Sequence, residues 1–268
     1  MIIENKIKAL EVSLKALGKV AIAFSGGVDS TFLAAVLNKA LGENAIAITV
    51  DSPYIPRWEL EEAKELAESI GIRHEIIELA EVPAAIQNNP SDRCYLCKKE
   101  LFTKIQQRAN DLGANYVVDG SNLDDTKDYR PGMVALKELA VKSPLLENEW
   151  TKEEIRLASK ALNLSTHDKP AYACLLTRLP YNQEILHEDL RKIEAAEVFM
   201  MALGFRAVRV RCHGDLARIE VAREDRKKLF DEALLDNISE TIKKIGFTYV
   251  AIEACGYQMG SLNKTIGE

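Results

Sequence analysis

The chain has 268 residues, 47% of them hydrophobic and 28% charged, ordinary for a globular protein and enough to bury one large core or two smaller ones. Its net charge of −6 argues against a surface that binds nucleic acid by counterion release. No apolar run reaches the length of a membrane span, and the amphipathic, acid-bearing N-terminus is unlike a signal or transit peptide, so a cytoplasmic address is expected and the five cysteines point to thiol or metal chemistry rather than disulfides.

The first half alternates between two periodicities. Strand-like apolar runs are predicted at 19–24, 45–50, 72–77, 115–119 and 139–145, with helix patterns at 30–41, 57–70 and 98–112 between them. Pro56 opens the second of these helices and Gly71 closes it. Such alternation predicts an α/β domain, a mostly parallel sheet with helices on both faces and ligands beyond the carboxyl ends of the strands. Thr151 and Glu154 form a capping-box pattern for a helix to about 162. An irregular segment follows, then a helix at 188–203, strands at 206–212 and 216–221, a helix at 223–244 and a strand at 248–255. That second pattern is α+β, so a boundary is expected near 148, between a domain at 1–148 and a smaller one at 149–268.

The most specific stretch is "KVAIAFSGGVDST", in which a strand ends in Ser25-Gly26-Gly27 and feeds a helix. Such a turn aims backbone N–H groups and the positive end of a helix dipole at one spot, which suits phosphate. Ser25, Ser30 and Thr31 can add hydroxyl donors. The loop has neither the lysine of a Walker A motif nor the Gly-x-Gly-x-x-Gly spacing. Asp29 beside polyphosphate makes sense only with a divalent cation; the plain alternative is a glycine-rich turn in which Asp29 or Ser30 caps the helix. "SGGVDST" after a strand resembles the PP-loop of the ATP pyrophosphatases, which include NAD and GMP synthetases and tRNA sulfur-insertion enzymes. The resemblance implies ATP on Ser25, Gly26, Gly27, Ser30 and Thr31, with Asp125 in the same site and Mg²⁺ at Asp29. It also implies cleavage between the α and β phosphates, Asp29 holding the departing pyrophosphate through the metal.

Four further stretches, "DGSNLDDTKDYRPG" (119–132), "SPL" (143–145), "DKPAYACLLTRLPYN" (168–182) and "VRVRCHGDLARIEV" (208–221), together resemble the LarE family, and the likeness runs on to "GYQMGSLN" at 256–263. These are ATP-dependent sulfur transferases that build the nickel-pincer cofactor of lactate racemase. The resemblance implies a substrate, pyridinium-3,5-dicarboxylic acid mononucleotide, whose carboxylate is adenylated and converted to a thiocarboxylate. It also implies a homohexamer. Cys174 matches the family's sulfur position; between Pro170 and Pro180 and flanked by Lys169 and Arg178, it has cations that would favour a thiolate. Cys94 and Cys97 form one Cys-x-x-Cys pair, by itself a weak metal signal. Three thiolates suit a [4Fe–4S] cluster with one open iron better than a closed zinc site. Family members come in two forms, one with a lone cysteine that surrenders its sulfur and one with three cysteines around such a cluster; this chain has the cysteines of the second. Cys212 and Cys255, in strand patterns, are expected to be small buried hydrophobes.

Gly214-Asp215 reads as a two-residue hairpin turn with glycine at a positive φ. That register pairs Arg211 with Arg218, Val210 with Ile219 and Arg209 with Glu220, putting Val208, Val210, Cys212, Ala217, Ile219 and Val221 on one face. Three arginines around one carboxylate on the other face would repel unless an anion joins them, so Arg209, Arg211 and Arg218, with Arg178, are expected to bind the substrate phosphate. His74, His167 and His187 read as surface residues. The competing functions are amidation or tRNA thiolation, for which no ammonia source or RNA-binding module is visible, and a nucleotide-binding regulator without turnover.

Overall fold

A computed structural model describes residues 2–127, 131–170 and 173–258, and its contacts divide the chain into two units. One unit comprises residues 1–83 and 92–172, the other 84–91 and 173–268. The chain passes the expected boundary at 148 without leaving the first unit, because the apolar stripe of the next helix, Ile155 and Ala158, closes that unit's core.

In the first unit, α1 (Ile2–Lys15), β1 (Val20–Ala23), α2 (Val28–Leu41), β2 (Ala45–Asp51), α3 (Arg57–Ile70), β3 (Arg73–Glu78), α4 (Arg93–Asp111) and β4 (Tyr116–Val118) alternate as expected. α5 (Pro131–Glu138), α6 (Pro144–Glu147) and α7 (Lys152–Ala161) complete it. The four strands are all parallel, in the order β3-β2-β1-β4. Period-two alternation sorts their side chains. Val20, Ile22, Ala45 and Ala47 face a core made with α1, α2, α3 and α7, while Ala21, Ile46, Ile48 and Val50 face α4 and α5. Pro56 and Gly71 punctuate α3, Gly71 in the left-handed conformation. The capping box of Thr151 and Glu154 is formed in full.

The strand expected at 139–145 is reduced to one bridge between Val118 and Lys142. Lys142 exchanges hydrogen bonds with Val117 and Asp119, and Pro144, with no N–H to donate, stops the ladder.

The second unit holds α8 (His187–Ala202), β5 (Val208–His213), β6 (Leu216–Val221), α9 (Glu232–Ile245) and β7 (Tyr249–Ile252). β5 and β6 form an antiparallel hairpin and β7 joins β6 in parallel. The register is the one expected: Arg211 opposite Arg218, Val210 opposite Ile219, Arg209 opposite Glu220, with Gly214 at φ 62°. The helix expected from 223 instead starts at Glu232, capped by Asp231, whose carboxylate accepts the Leu234 N–H at 2.9 Å. Residues 84–91 belong here through Asn89, which is buried at φ 47°. Its side-chain amide donates to the carbonyls of Leu179 (3.2 Å) and Pro180 (2.8 Å).

Candidate active site

Strand order 3-2-1-4 makes the crevice beyond β1 and β4 the point where the chain reverses direction across the sheet, the place where open α/β sheets bind ligands. β1 delivers Ser25-Gly26-Gly27 there, and Gly27 caps α2 with no side-chain bond of its own, so the first-turn N–H groups stay available. Ser30, buried, accepts or donates to the Ser25 hydroxyl at 3.1 Å and donates to the Gly27 carbonyl at 3.2 Å. Thr31 is also buried, its hydroxyl without a protein partner. Gly26 holds a left-handed φ of 66° where the loop presses on α3: a Cβ there would sit 3.2 Å from the Ala63 Cα.

β4 brings the other wall. Directly after Asp119, Gly120 packs so closely on α2 that a Cβ would lie 3.1 Å from the Ser30 N and 3.2 Å from the Asp29 Cβ. Asp119 is buried and accepts from the Ser143 hydroxyl at 2.6 Å and from Ser121. Asp125, buried in the turn that follows, accepts the Asn122 N–H at 2.9 Å. Asp29 meets Lys152 of α7 at 2.6 Å through Oδ2, while its buried Oδ1 has no hydrogen-bond partner. Burial, outweighing Lys152 and reinforced by the charge of Asp125, holds the Asp29 carboxyl above the usual carboxylate range. An orphaned carboxylate oxygen with a second acid nearby is the donor set a hard cation such as Mg²⁺ takes. In the sequence, Asp119 and Gly120 stand out only as the start of the 119–132 motif, with no role of their own, and Lys152 is missed, although a cation at the first position of a capped helix is visible.

The thiols are free. Cys94 is exposed and Cys97 half-buried, three apart on the first turn of α4, with the Cys97 thiol 3.5 Å from the Tyr54 hydroxyl. Cys174, half-buried, belongs to the second unit, where its carbonyl accepts from the Thr177 N–H (3.1 Å) and the Arg178 guanidinium (3.0 Å). Among the described residues no three His, Cys, Asp or Glu side chains are gathered as a metal group. Cys212 is sealed in the core and its thiol pushed up to about 11 by burial. Cys255 departs from expectation: β7 ends at Ile252, leaving it exposed. His74 also departs from expectation, being half-buried with Nε2 at 2.7 Å from the Thr49 hydroxyl, and burial lowers its pKa. Residues 128–130 and 171–172, within two of the family motifs, and 259–263 of "GYQMGSLN" lie outside the described residues.

Most of the arginine face is buried: Arg209 and Arg211 are inside the unit, while Arg218 stays partly exposed. Arg211 forks onto Glu220 at 3.0 and 2.7 Å and reaches the Thr177 carbonyl, and Arg218 adds a 3.0 Å bond to the same carboxylate. Arg209 is buried, with its guanidinium 5.1 Å from the centre of the Tyr257 ring. Its pKa falls through burial and then through the charge of Arg178. Arg178, expected at a phosphate, has its Nε and Nη2 on Glu197 at 2.9 Å each, and its Nη1 on the carbonyls of Ala173 (2.6 Å) and Cys174. Two buried arginine–carboxylate pairs thus hold the Cys174 loop on the three-stranded sheet. Glu197 went unnoticed in the sequence.

A parallel sheet with a Ser-Gly-Gly loop at its switch point, an open helix N-terminus and an aspartate in that helix's first turn defines a PP-loop protein, and residues 2–110 match the NAD synthase family. Over 98% of its length the chain is 33% identical to 95% of the pyridinium-3,5-bisthiocarboxylic acid mononucleotide synthase of Lactiplantibacillus plantarum. It is 43% identical to an uncharacterized protein of Synechocystis sp. (98% and 99% of the two chains) and 36% identical to one of Methanocaldococcus jannaschii (87% and 88%). The chain belongs to the LarE family, PP-loop enzymes of nickel-pincer cofactor synthesis. Among the described residues no helix is long and apolar enough to cross a membrane.

Proposed function

We propose that the protein is an ATP-dependent sulfur transferase acting on pyridinium-3,5-dicarboxylic acid mononucleotide. The observation that carries the reading is the orphaned Asp29 carboxylate oxygen beside a glycine loop and an open helix N-terminus, in a chain with full-length likeness to a mononucleotide synthase of that type. A carboxylate oxygen of the substrate attacks the α-phosphorus of ATP; the bond to the β-phosphate's bridging oxygen breaks, and pyrophosphate leaves with the electron pair. Ser25, Gly26, Gly27, Ser30 and Thr31 orient the phosphates, and Asp29, with Asp125 at the same site, would hold Mg²⁺, which neutralises charge on the departing pyrophosphate. Sulfide-level sulfur then adds to the acyl carbon, the acyl C–O bond to AMP breaks and AMP departs with the electron pair, leaving a thiocarboxylate. Arg209, Arg211 and Arg218 supply the positive field for the substrate phosphate, with Arg178 behind them.

Cys94, Cys97 and Cys174 are the sulfur-bearing set. None of the three is in a disulfide and none is buried, unlike Cys212, the free-thiol state that a three-cysteine [4Fe–4S] cluster requires. Such a cluster, when bound by three cysteines, supplies an open iron able to carry the sulfur that is transferred. The same reading carries a homohexamer, which light scattering would measure. The test is anaerobic turnover with ATP, Mg²⁺, sulfide and the substrate, followed by product and protein mass spectrometry. Pyrophosphate, AMP and a product 16 Da heavier, with Cys174 intact and activity dependent on Cys94 and Cys97, are the expected result (the mass difference is about that of sulfur for oxygen). Dehydroalanine at 174 would make Cys174 a sacrificial donor. Absence of substrate-dependent pyrophosphate would overturn the enzyme reading in favour of a nucleotide-binding regulator.

A further inference from the structure

Lys169, a flanking cation of Cys174 in the sequence, has its amine on the glycine loop of its own unit. Nζ donates to the carbonyl of Gly26 at 3.0 Å and to Glu62 of α3 at 2.7 Å, with only 10% of the side chain exposed. We propose that Lys169 is a positioning residue for the nucleotide phosphates, fixing the Gly26–Gly27 peptide in the orientation that aims the Gly27 N–H into the loop. The inference rests on the nucleotide reading above and adds a residue to it.

A trans peptide is planar, with its C=O and N–H pointing in opposite directions. With the Gly26 carbonyl on Lys169, the Gly27 N–H must face the other way, and it does, toward the Ser25 hydroxyl at 3.4 Å. That bond is long, so the N–H is held in place by its carbonyl end rather than by its own partner. Glycines on both sides leave this unit few steric barriers to rotation, so its orientation needs an external lock. Turned over, it would present a carbonyl to the phosphates instead of a donor, replacing attraction by repulsion. α3 completes the lock. The Gly26 Cα is pressed against Ala63, and Glu62, one residue earlier on the same helix, braces the Lys169 amine. Lys152 is a different device, since its amine is on the Asp29 carboxylate and acts on the cation side of the site.

The test uses the full chain, inorganic pyrophosphate with Mg²⁺ as the probe, and selective ¹⁵N-glycine labelling to follow the Gly27 amide. Wild-type protein should bind the probe with a large shift at Gly27. Lys169→Met should bind about ten- to a hundredfold more weakly, the scale of one charge-assisted hydrogen bond acting through the loop. It should also shift the Gly27 resonance in the ligand-free protein, which a lysine touching only the anion would not do. Lys169→Arg, which keeps a cationic donor, should recover most of the affinity. Glu62→Gln, which leaves the amine but removes its brace, should weaken binding in the same direction and less; it decides the matter should Lys169→Met fail to fold. Wild-type affinity in Lys169→Met, or an unmoved ligand-free Gly27 amide, overturns the proposal alone. A wild-type protein that binds neither pyrophosphate nor ATP overturns the nucleotide reading and takes the proposal with it.

Discussion

Gly120→Ala isolates how closely the two walls of the candidate site are packed. Gly120 does not use a left-handed backbone, so alanine meets no dihedral strain and the effect is one of contact. The added methyl would sit 3.1 Å from the Ser30 N, 3.2 Å from the Asp29 Cβ and 3.3 Å from the Asp29 C. None of these atoms can swing aside, since all belong to the first turn of α2 or to the stem of Asp29. Normal contact therefore requires a displacement of a few tenths of an ångström in α2 or in the turn after β4. Overpacking of this kind costs about 1–3 kcal/mol, and at roughly 2–4 °C per kcal/mol the Tm should fall by about 2–12 °C. The same shift moves the Ser30 N–H and the Asp29 carboxylate relative to the phosphates, so kcat/KM for ATP should drop by about tenfold or more. Thermal denaturation and a coupled pyrophosphate assay measure the two effects together. A Gly120→Ala protein with the Tm and the ATP kinetics of wild type would refute both the packing argument and the placement of this wall at the nucleotide.

Asp29→Asn should abolish pyrophosphate release while leaving Tm at neutral pH equal to or above wild type. The folded-state pKa is raised, so the folded protein binds more protons than the unfolded chain, and ionised Asp29 lowers stability as pH rises from the ordinary aspartate value through the raised one; unchanged turnover would remove Asp29 from the mechanism. Arg209→Ala should raise KM for the phosphorylated substrate about ten- to a hundredfold with little change for ATP; an equal loss toward a dephosphorylated analogue would place the phosphate elsewhere. Glu197→Ala removes the carboxylate that balances the buried Arg178 charge (1% exposed) and accepts the Val210 N–H, and should cost about 3–5 kcal/mol in urea denaturation. A loss under about 1 kcal/mol would show that the pair does not hold the Cys174 loop.

The fold was legible wherever one period governs a whole segment. The strands at 20–23, 45–51 and 73–78 and the helix at 57–70 follow from alternation and from the Pro56–Gly71 punctuation. The β5–β6 register followed from a single turn, because a slip of one residue would have put Arg209, Arg211 and Glu220 in place of Val208, Val210 and Ile219. Errors arose where the deciding partner lies far away in sequence. The run at 139–145 has strand composition, but its ladder stops at Pro144. Residues 84–91 have no periodicity, and their place in the second unit depends on Asn89 reaching carbonyls some ninety residues later.

The candidate site divides along the same line. The stretch Ser25, Gly26, Gly27 and Asp29 stands out in the sequence because a strand–glycine–helix turn is contiguous, its glycines and its helix start being fixed by the backbone they must form. The residues that hold that loop and the cysteine loop in place are not contiguous with them: Lys169 lies 143 residues from Gly26, and Glu197 lies 19 from Arg178. Composition near the loop carries no trace of Lys169. Glu197 does leave one, because it continues the buried stripe of α8 through Leu190, Ile193, Ala196 and Met200, where an apolar residue would ordinarily stand. An acid on such a stripe must find a buried cation or be neutralised, and the chain offers arginines on the neighbouring strand and loop. Glu197 accepts hydrogen bonds from Arg178, while its charge also acts on Arg209 of β5 and Arg211 is committed to Glu220. The strand register puts Arg209, Arg211, Arg218 and Glu220 on one face of the hairpin, where Glu220 takes Arg211 and Arg218, its diagonal and same-strand neighbours, and the carboxylate from α8 takes the arginine of the cysteine loop.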